Sequence, residues 1–176
     1  STRGQTLFPY TTLFRSLVAK SKRPDGPFEV INWNAEKPNE TVGVLGFDPA
    51  VFIDDDGRVY GYWGFKDVYA AELDPLTMAT VKPGTPVLEK FFNSKSEPGI
   101  YRFFEASSMR KIKDKYVLIY SRHTGEGEFG LPASNYTLAY SYSNSPLGPF
   151  VYGGTIIDGR GRDLDENGVP MFTAHP

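Results

Sequence analysis

At 176 residues the chain is long enough for about one domain. A net charge of −2 without a basic cluster argues against nucleic acid as a partner, and the absence of cysteine excludes disulfides, thiolate metal sites and cysteine nucleophiles. No apolar run approaches the roughly 18 residues of a membrane span, so no membrane partner is expected, and the wealth of Tyr (11), Phe (13), Gly (18) and Pro (14) favours short strands joined by turns.

The first segment stands apart from the rest. Thr6 to Ser16 matches, letter for letter, one reading frame of a common short-read sequencing adapter, so residues 1–16 are set aside as an adapter-derived artefact. The chain is then expected to enter its gene part-way through. Ala19 to Phe28, with Pro24-Asp25-Gly26-Pro27 before the phenylalanine, has the character of a strand followed by a turn. Gly46-Phe47-Asp48-Pro49 leads into Val51-Phe52-Ile53, and the tight-turn pair Asp56-Gly57 sends the chain back through Arg58-Val59-Tyr60. Ala70 to Met78 is expected to be a strand end and a turn, and Lys82 to Pro86 to begin the passage to the next unit. Phe103-Phe104-Glu105-Ala106 opens a second hairpin whose return strand is Tyr116 to Tyr120. Tyr136 to Tyr142 carries the β-branched and aromatic character of another strand.

Two repeats run through this order. Asp48 and Glu105 each stand at the opening of a strand, polar turn and aromatic return strand, 57 residues apart. The segment Ala19 to Phe28 returns as Ala139 to Phe150, with the two phenylalanines 122 residues apart, or two periods of 61. Repeats of this length with about four strands each are the mark of a β-propeller. The expected fold class is therefore all-β, a fragment of a propeller with about two and a half blades. Residues 17–28 would end a first blade, 29–98 form a second, 99–152 a third, and 153–176 begin a fourth. Carboxylates placed alike in successive blades point into one centre, and paired carboxylates are what glycoside hydrolysis requires.

The anchors Gly46-Phe47-Asp48-Pro49, Asp54-Asp55-Asp56-Gly57, Phe104-Glu105-Ala106-Ser107-Ser108-Met109-Arg110-Lys111 and Ser145-Pro146-Leu147-Gly148-Pro149-Phe150 resemble glycoside hydrolase family 43 across residues 17–176. That resemblance implies a five-bladed propeller acting on arabinose- and xylose-containing plant polysaccharides by an inverting mechanism. It further implies that Glu105 is the general acid and Asp48 the carboxylate that raises its pKa. The family's general base, an aspartate on the first blade, has no match here, since Asp25 lies in a turn. The chain by itself is thus expected to be inactive. Phe47 matches a position that lines the sugar pocket in the family, although an isolated strand Phe serves as readily in a core. His123, after the return strand that follows Glu105, is a further candidate for the cleft, with simple loop exposure as its alternative.

No cofactor is expected in the chain. Asp163-Leu164-Asp165-Glu166-Asn167-Gly168 resembles the start of a calcium loop, but the glutamate required in twelfth place is Ala174. The resemblance implies a calcium ion in the full-length parent, held through a fourth-blade histidine whose flanking residues His175 lacks. A carbohydrate substrate is the expected partner, and export from a bacterial cell is expected ahead of the cytoplasm. Two other readings compete: a non-catalytic carbohydrate-binding propeller, for which a desolvated acid at position 105 has no use, and an endo-acting arabinanase, which cleft shape would decide.

Overall fold

The computed structural model describes residues 16–89, 92, 99–128, 133–158 and 167. Every regular element is a strand. Four of them, β3 (Ala50–Ile53), β4 (Val59–Trp63), β5 (Tyr69–Leu73) and β6 (Val87–Glu89), form one antiparallel sheet in chain order. Four more, β7 (Phe103–Ile112), β8 (Lys115–Thr124), β9 (Ser134–Ser143) and β10 (Val151–Asp158), form a second in the same order. A short pair, β1 (Ala19–Lys20) and β2 (Glu29–Val30), precedes them. Two meandering four-stranded sheets in succession, with their first strands β3 and β7 packed together, are two blades of a β-propeller.

The first hairpin follows its turn chemistry. Gly57 takes a φ of 81° and its N–H bonds to the Asp54 carbonyl, closing the turn so that Ile53 pairs with Val59. The 122-residue repeat is equally visible. Gly26 and Gly148 have φ of 88° and 90°, each donates its N–H to the carbonyl three residues back, and each is covered by the ring of the phenylalanine two residues on. Both turns lead into a strand that pairs back, β2 on β1 and β10 on β9.

That pairing moves the expected boundaries. The strand after each Gly-Pro-Phe turn is hydrogen-bonded to the sheet before it, so β2 goes with β1, and the sheet of β7 to β10, expected as the third blade, runs to Asp158, past residue 152. A hairpin cannot be divided at its turn without breaking the ladder that defines it. Lys82 to Pro86 likewise does not leave its blade. The Lys82 N–H bonds to the Glu72 carbonyl, and the segment carries the chain round to β6, which pairs with β5. The expected fourth-blade start beyond Asp158 lies, apart from Asn167, outside the described residues. So do the adapter-like residues 1–15, the calcium-loop look-alike except for Asn167, and His175.

Alternation along the strands decides what the sheets bury. On β4, Tyr60 and Tyr62 face the second sheet and join Met109, Leu118, Tyr120 and Ala139 in one core. Val59 and Trp63 face the other way, with Leu45, Ala71 and Leu73. Polar bonds fasten the sheets at two places. The buried Tyr62 hydroxyl donates to the Pro146 carbonyl at 2.6 Å. At the turn end of β3 the buried Asp54 carboxylate accepts from the Tyr116 hydroxyl and from Lys111 Nζ at 3.0 Å, and Lys111 also reaches Asp55 at 2.7 Å. Burial opposes charge on Asp54, but the bonds from Tyr116, Asp55 N–H and Lys111 outweigh it and hold the carboxyl below its usual range.

Asp54→Ala is expected to destabilise the chain by about 2 kcal/mol at pH 7, because it strips charge-assisted bonds from Tyr116 and Lys111. Since the folded carboxyl titrates low, that stabilisation is present above the ordinary aspartate pKa and is lost as pH falls through the folded value. Urea denaturation of both chains at pH 7 and at successively lower pH measures the difference and its decline.

Candidate active site

The two acids stand at the starts of the first strands of neighbouring blades. Asp48 stands two residues before β3, solvent-exposed and with a φ of 44°. Glu105 is the third residue of β7. There the β7–β8 register shifts on both sides of it, and Ala106 takes a φ of 55°. Such a bulge re-aims a side chain that the plain pleat would send elsewhere.

Glu105 is half-buried, and its pKa is raised, first by burial and then by the negative charge of Asp48. The structure therefore brings Asp48 and Glu105 into one electrostatic neighbourhood. A carboxyl held neutral beside a second carboxylate can donate a proton where ordinary glutamates cannot.

An aromatic ladder runs between the two acids. The rings of Phe47 and Phe65 meet edge to face at 5.4 Å between centroids, and those of Phe65 and Phe104 at 5.1 Å. Phe47 and Phe104 are the residues immediately before Asp48 and Glu105. Phe65 comes from the loop between β4 and β5, and Lys66 Nζ lies 5.3 Å from its ring centre. Phe47 is 48% exposed and Phe65 47% exposed. The sequence reading missed Phe65, though Gly64 before it was a legible signal. Gly64 has a φ of 140°, and a Cβ there would meet the Asp67 carbonyl oxygen at 1.9 Å, so the loop takes a course open to glycine alone.

His123 is exposed on β8, and its N–H donates to the Arg102 carbonyl. It lies near the end of β8 that pairs with the Glu105 end of β7, but none of its described contacts reaches Asp48 or Glu105. Beside it Arg122 is buried, bonded to Glu128 at 2.7 Å and to the Ile100 carbonyl at 3.1 Å, and Arg102 bonds the other Glu128 oxygen at 3.1 Å. Burial opposes charge on Glu128, yet the Gly125 N–H and the two arginines hold its carboxyl below the usual range. This pairing anchors the start of the β8–β9 loop.

Asp25 lies in the β1–β2 turn, paired with Arg23 at 2.6 Å and open to solvent. Among the described residues no group of three or more His, Asp or Glu is placed to hold a metal ion. Calcium, which the resemblance implies only for the full-length parent, would be held through a fourth-blade histidine that the described residues do not include.

Comparison with known proteins relates the chain to glycosidases. The sequence model of Glycosyl hydrolases family 43 matches residues 7–168. The chain is 30% identical to a β-xylosidase of Xylanibacter ruminicola, over 85% of this chain and 51% of that protein. It is also 30% identical to xylosidase/arabinosidase 43A of Humicola insolens, over 83% of this chain and 51% of that one. Among solved structures, an α-L-arabinofuranosidase from Clostridium thermocellum superposes with a TM-score of 0.54 at 27% identity, covering 80% of this chain and 44% of that one. The chain spans about half the length of the curated relatives it matches.

Proposed function

From the premise that the chain belongs to glycosyl hydrolase family 43, we propose that it is part of an inverting glycosidase acting on arabinose- or xylose-containing plant polysaccharides. In that reading Glu105 is the general acid that protonates the departing glycosidic oxygen. Asp48 is the neighbouring carboxylate that keeps Glu105 protonated at the pH of the reaction. The observation that carries the reading is the raised pKa of Glu105, due to burial and to the Asp48 charge. The names of the relatives, a β-xylosidase and a xylosidase/arabinosidase, support the substrate class.

The chemistry follows from the charges. As the glycosidic bond breaks, the leaving oxygen gains negative charge and takes the Glu105 proton, while the sugar ring acquires oxocarbenium character. The Asp48 carboxylate does not transfer the proton. It makes ionisation of Glu105 costly before the reaction, and so favours delivery of the proton when a basic oxygen appears. The exposed faces of Phe47 and Phe65 offer apolar surface to the C–H face of a sugar ring.

Inversion also needs a base on the opposite side of the sugar, about 6.5–9.5 Å from the acid, to activate water. Asp25, paired with Arg23 in a turn, does not fill that role, so the 176-residue chain alone is inactive in this reading. No step passes through calcium, and export of the whole protein remains part of the proposal.

Assay of the purified chain on aryl α-L-arabinofuranosides, aryl β-D-xylosides and xylo-oligosaccharides is expected to give no turnover. The product of the complete gene is expected to release sugar with inverted anomeric configuration by proton NMR. Turnover by the isolated chain that Glu105→Ala abolishes would overturn the claim of inactivity. Retained configuration from the complete product would overturn the inverting mechanism.

A further inference from the structure

The loop between β4 and β5 reaches from its own blade to the next beside the residues that carry the acids. Its Gly64 N–H donates to the Phe47 carbonyl at 2.8 Å, and its Lys66 N–H donates to the Phe104 carbonyl at 2.7 Å. Between those two bonds the Phe65 ring packs edge to face with the rings of both Phe47 and Phe104. Each acid is thus one peptide away from a carbonyl that this loop grips and a ring that this loop wedges. Phe65 is nearly half exposed and belongs to neither buried core, so packing of a core does not account for it.

We propose that the segment Gly64-Phe65-Lys66 is a positioning latch for the acid pair, fixing how closely Asp48 approaches Glu105 by tying the backbone ahead of each to one rigid loop. The proposal rests on the reading of Asp48 and Glu105 as a working pair. It assigns Phe65 a role through those residues and no contact with the reacting atoms.

The energetic argument is geometric. Interaction between like charges varies steeply with separation where water is partly excluded. The two carboxylates come from different sheets, so their separation depends on how those sheets sit against each other. Two backbone bonds and two ring contacts fix that separation locally, and Gly64 lets the loop close tightly enough to make both bonds.

Burial is the larger cause of the raised Glu105 pKa, and the charge that adds to it comes from Asp48, ahead of β3. The other ionisable groups nearest Glu105 in the chain or across the β7–β8 ladder are Lys66 and Asp67 on the loop, Arg102 before β7, and Tyr120, Arg122 and His123 on β8. Arg110, Lys111, Lys115 and Tyr116 stand at the far end of that hairpin. Arg102 and Arg122 are committed to Glu128.

The test is carboxyl 13C NMR of the full 176-residue chain, following the titration midpoint of Glu105. Asp48→Asn is expected to lower that midpoint by removing the like charge. Phe65→Ala is expected to lower it by at least half as much, and to add little in a chain already carrying Asp48→Asn. Phe65→Tyr, which keeps the ring, is expected to leave it in place. Should Phe65→Ala perturb folding, as amide dispersion would show, Phe65→Leu takes its place and is expected to act in the same direction.

An unmoved midpoint in the Phe65 variants, while Asp48→Asn shifts it, overturns the latch and leaves the acid pair standing. An equal shift with and without Asp48 also overturns it, because the ring would then act only by excluding water. If Asp48→Asn itself moves nothing, the pair reading fails, and the latch falls with it.

Discussion

In a protein that completes the ring of blades, Glu105→Gln is expected to cut turnover of xylo- and arabino-oligosaccharides by about 10²–10⁴, the usual worth of a positioned general acid. Aryl glycosides with acidic leaving groups should lose far less, since their oxygen departs without a proton. Comparing kcat on the two substrate types therefore separates loss of the acid from general damage to the site.

The same substitution should raise thermal stability at neutral pH. Folding raises the Glu105 pKa, so between the unfolded and folded values the native chain holds a proton that the unfolded chain has lost. Stability attributable to this group is full below the unfolded pKa and is lost as pH rises through the folded one. Glutamine carries no such penalty. The variant's Tm should exceed the parent's at pH 7 and coincide with it at pH 3, by calorimetry of the 176-residue chain. A lower Tm for the variant at pH 7 would mean that the Glu105 carboxylate is held by favourable partners instead of being desolvated beside Asp48.

Phe92→Ala is expected to destabilise the chain by about 3–5 kcal/mol, the usual range for deleting a buried phenylalanine. Phe92 is 1% exposed. Its ring stacks on Tyr101 at 5.0 Å, tilts against Tyr120 at 5.0 Å, and meets Phe150 and Phe103 edge to face at 5.7 and 6.1 Å. These partners come from the segment before β7, from β7 and β8, and from the turn before β10. Removing the ring therefore empties a junction shared by several strands, which cannot collapse from one side. The hydroxyls around it add rigidity, with Tyr101 donating to the Phe150 carbonyl and Tyr120 to the Tyr101 carbonyl, both at 2.9 Å. Guanidinium denaturation would read the loss, and a cost below about 1 kcal/mol would show that the site closes over the gap.

Much of the architecture was legible in residues close together in the chain. Asp56-Gly57 marks the β3–β4 hairpin because a tight turn asks for a positive φ, which Gly57 supplies within a four-residue reach. The Gly-Pro-Phe turns were legible as a repeat for the same reason. Each is a local device in which a glycine makes room for the ring two residues on. The ladders run past the boundaries drawn at those turns, because turn residues tell where a chain reverses, and pairing tells which sheet the returning strand joins. Asp48 and Glu105 were identified by their matching places in the repeat, and the structure puts both beside the first strands of packed blades.

The sequence by itself determined the strand-and-turn alphabet of this protein, the period of its blades and the two acids that recur with that period. All of these are set by neighbours within a few residues and by turn chemistry. Only the tertiary structure decided that Phe65 lies between Phe47 and Phe104, that Lys111 and Tyr116 satisfy Asp54, and that Phe92 fills the junction around Tyr101 and Phe150. Those contacts join residues far apart in the chain, whose approach depends on the twist of two sheets and the side chains packed between them. No local pattern of residues encodes that distance.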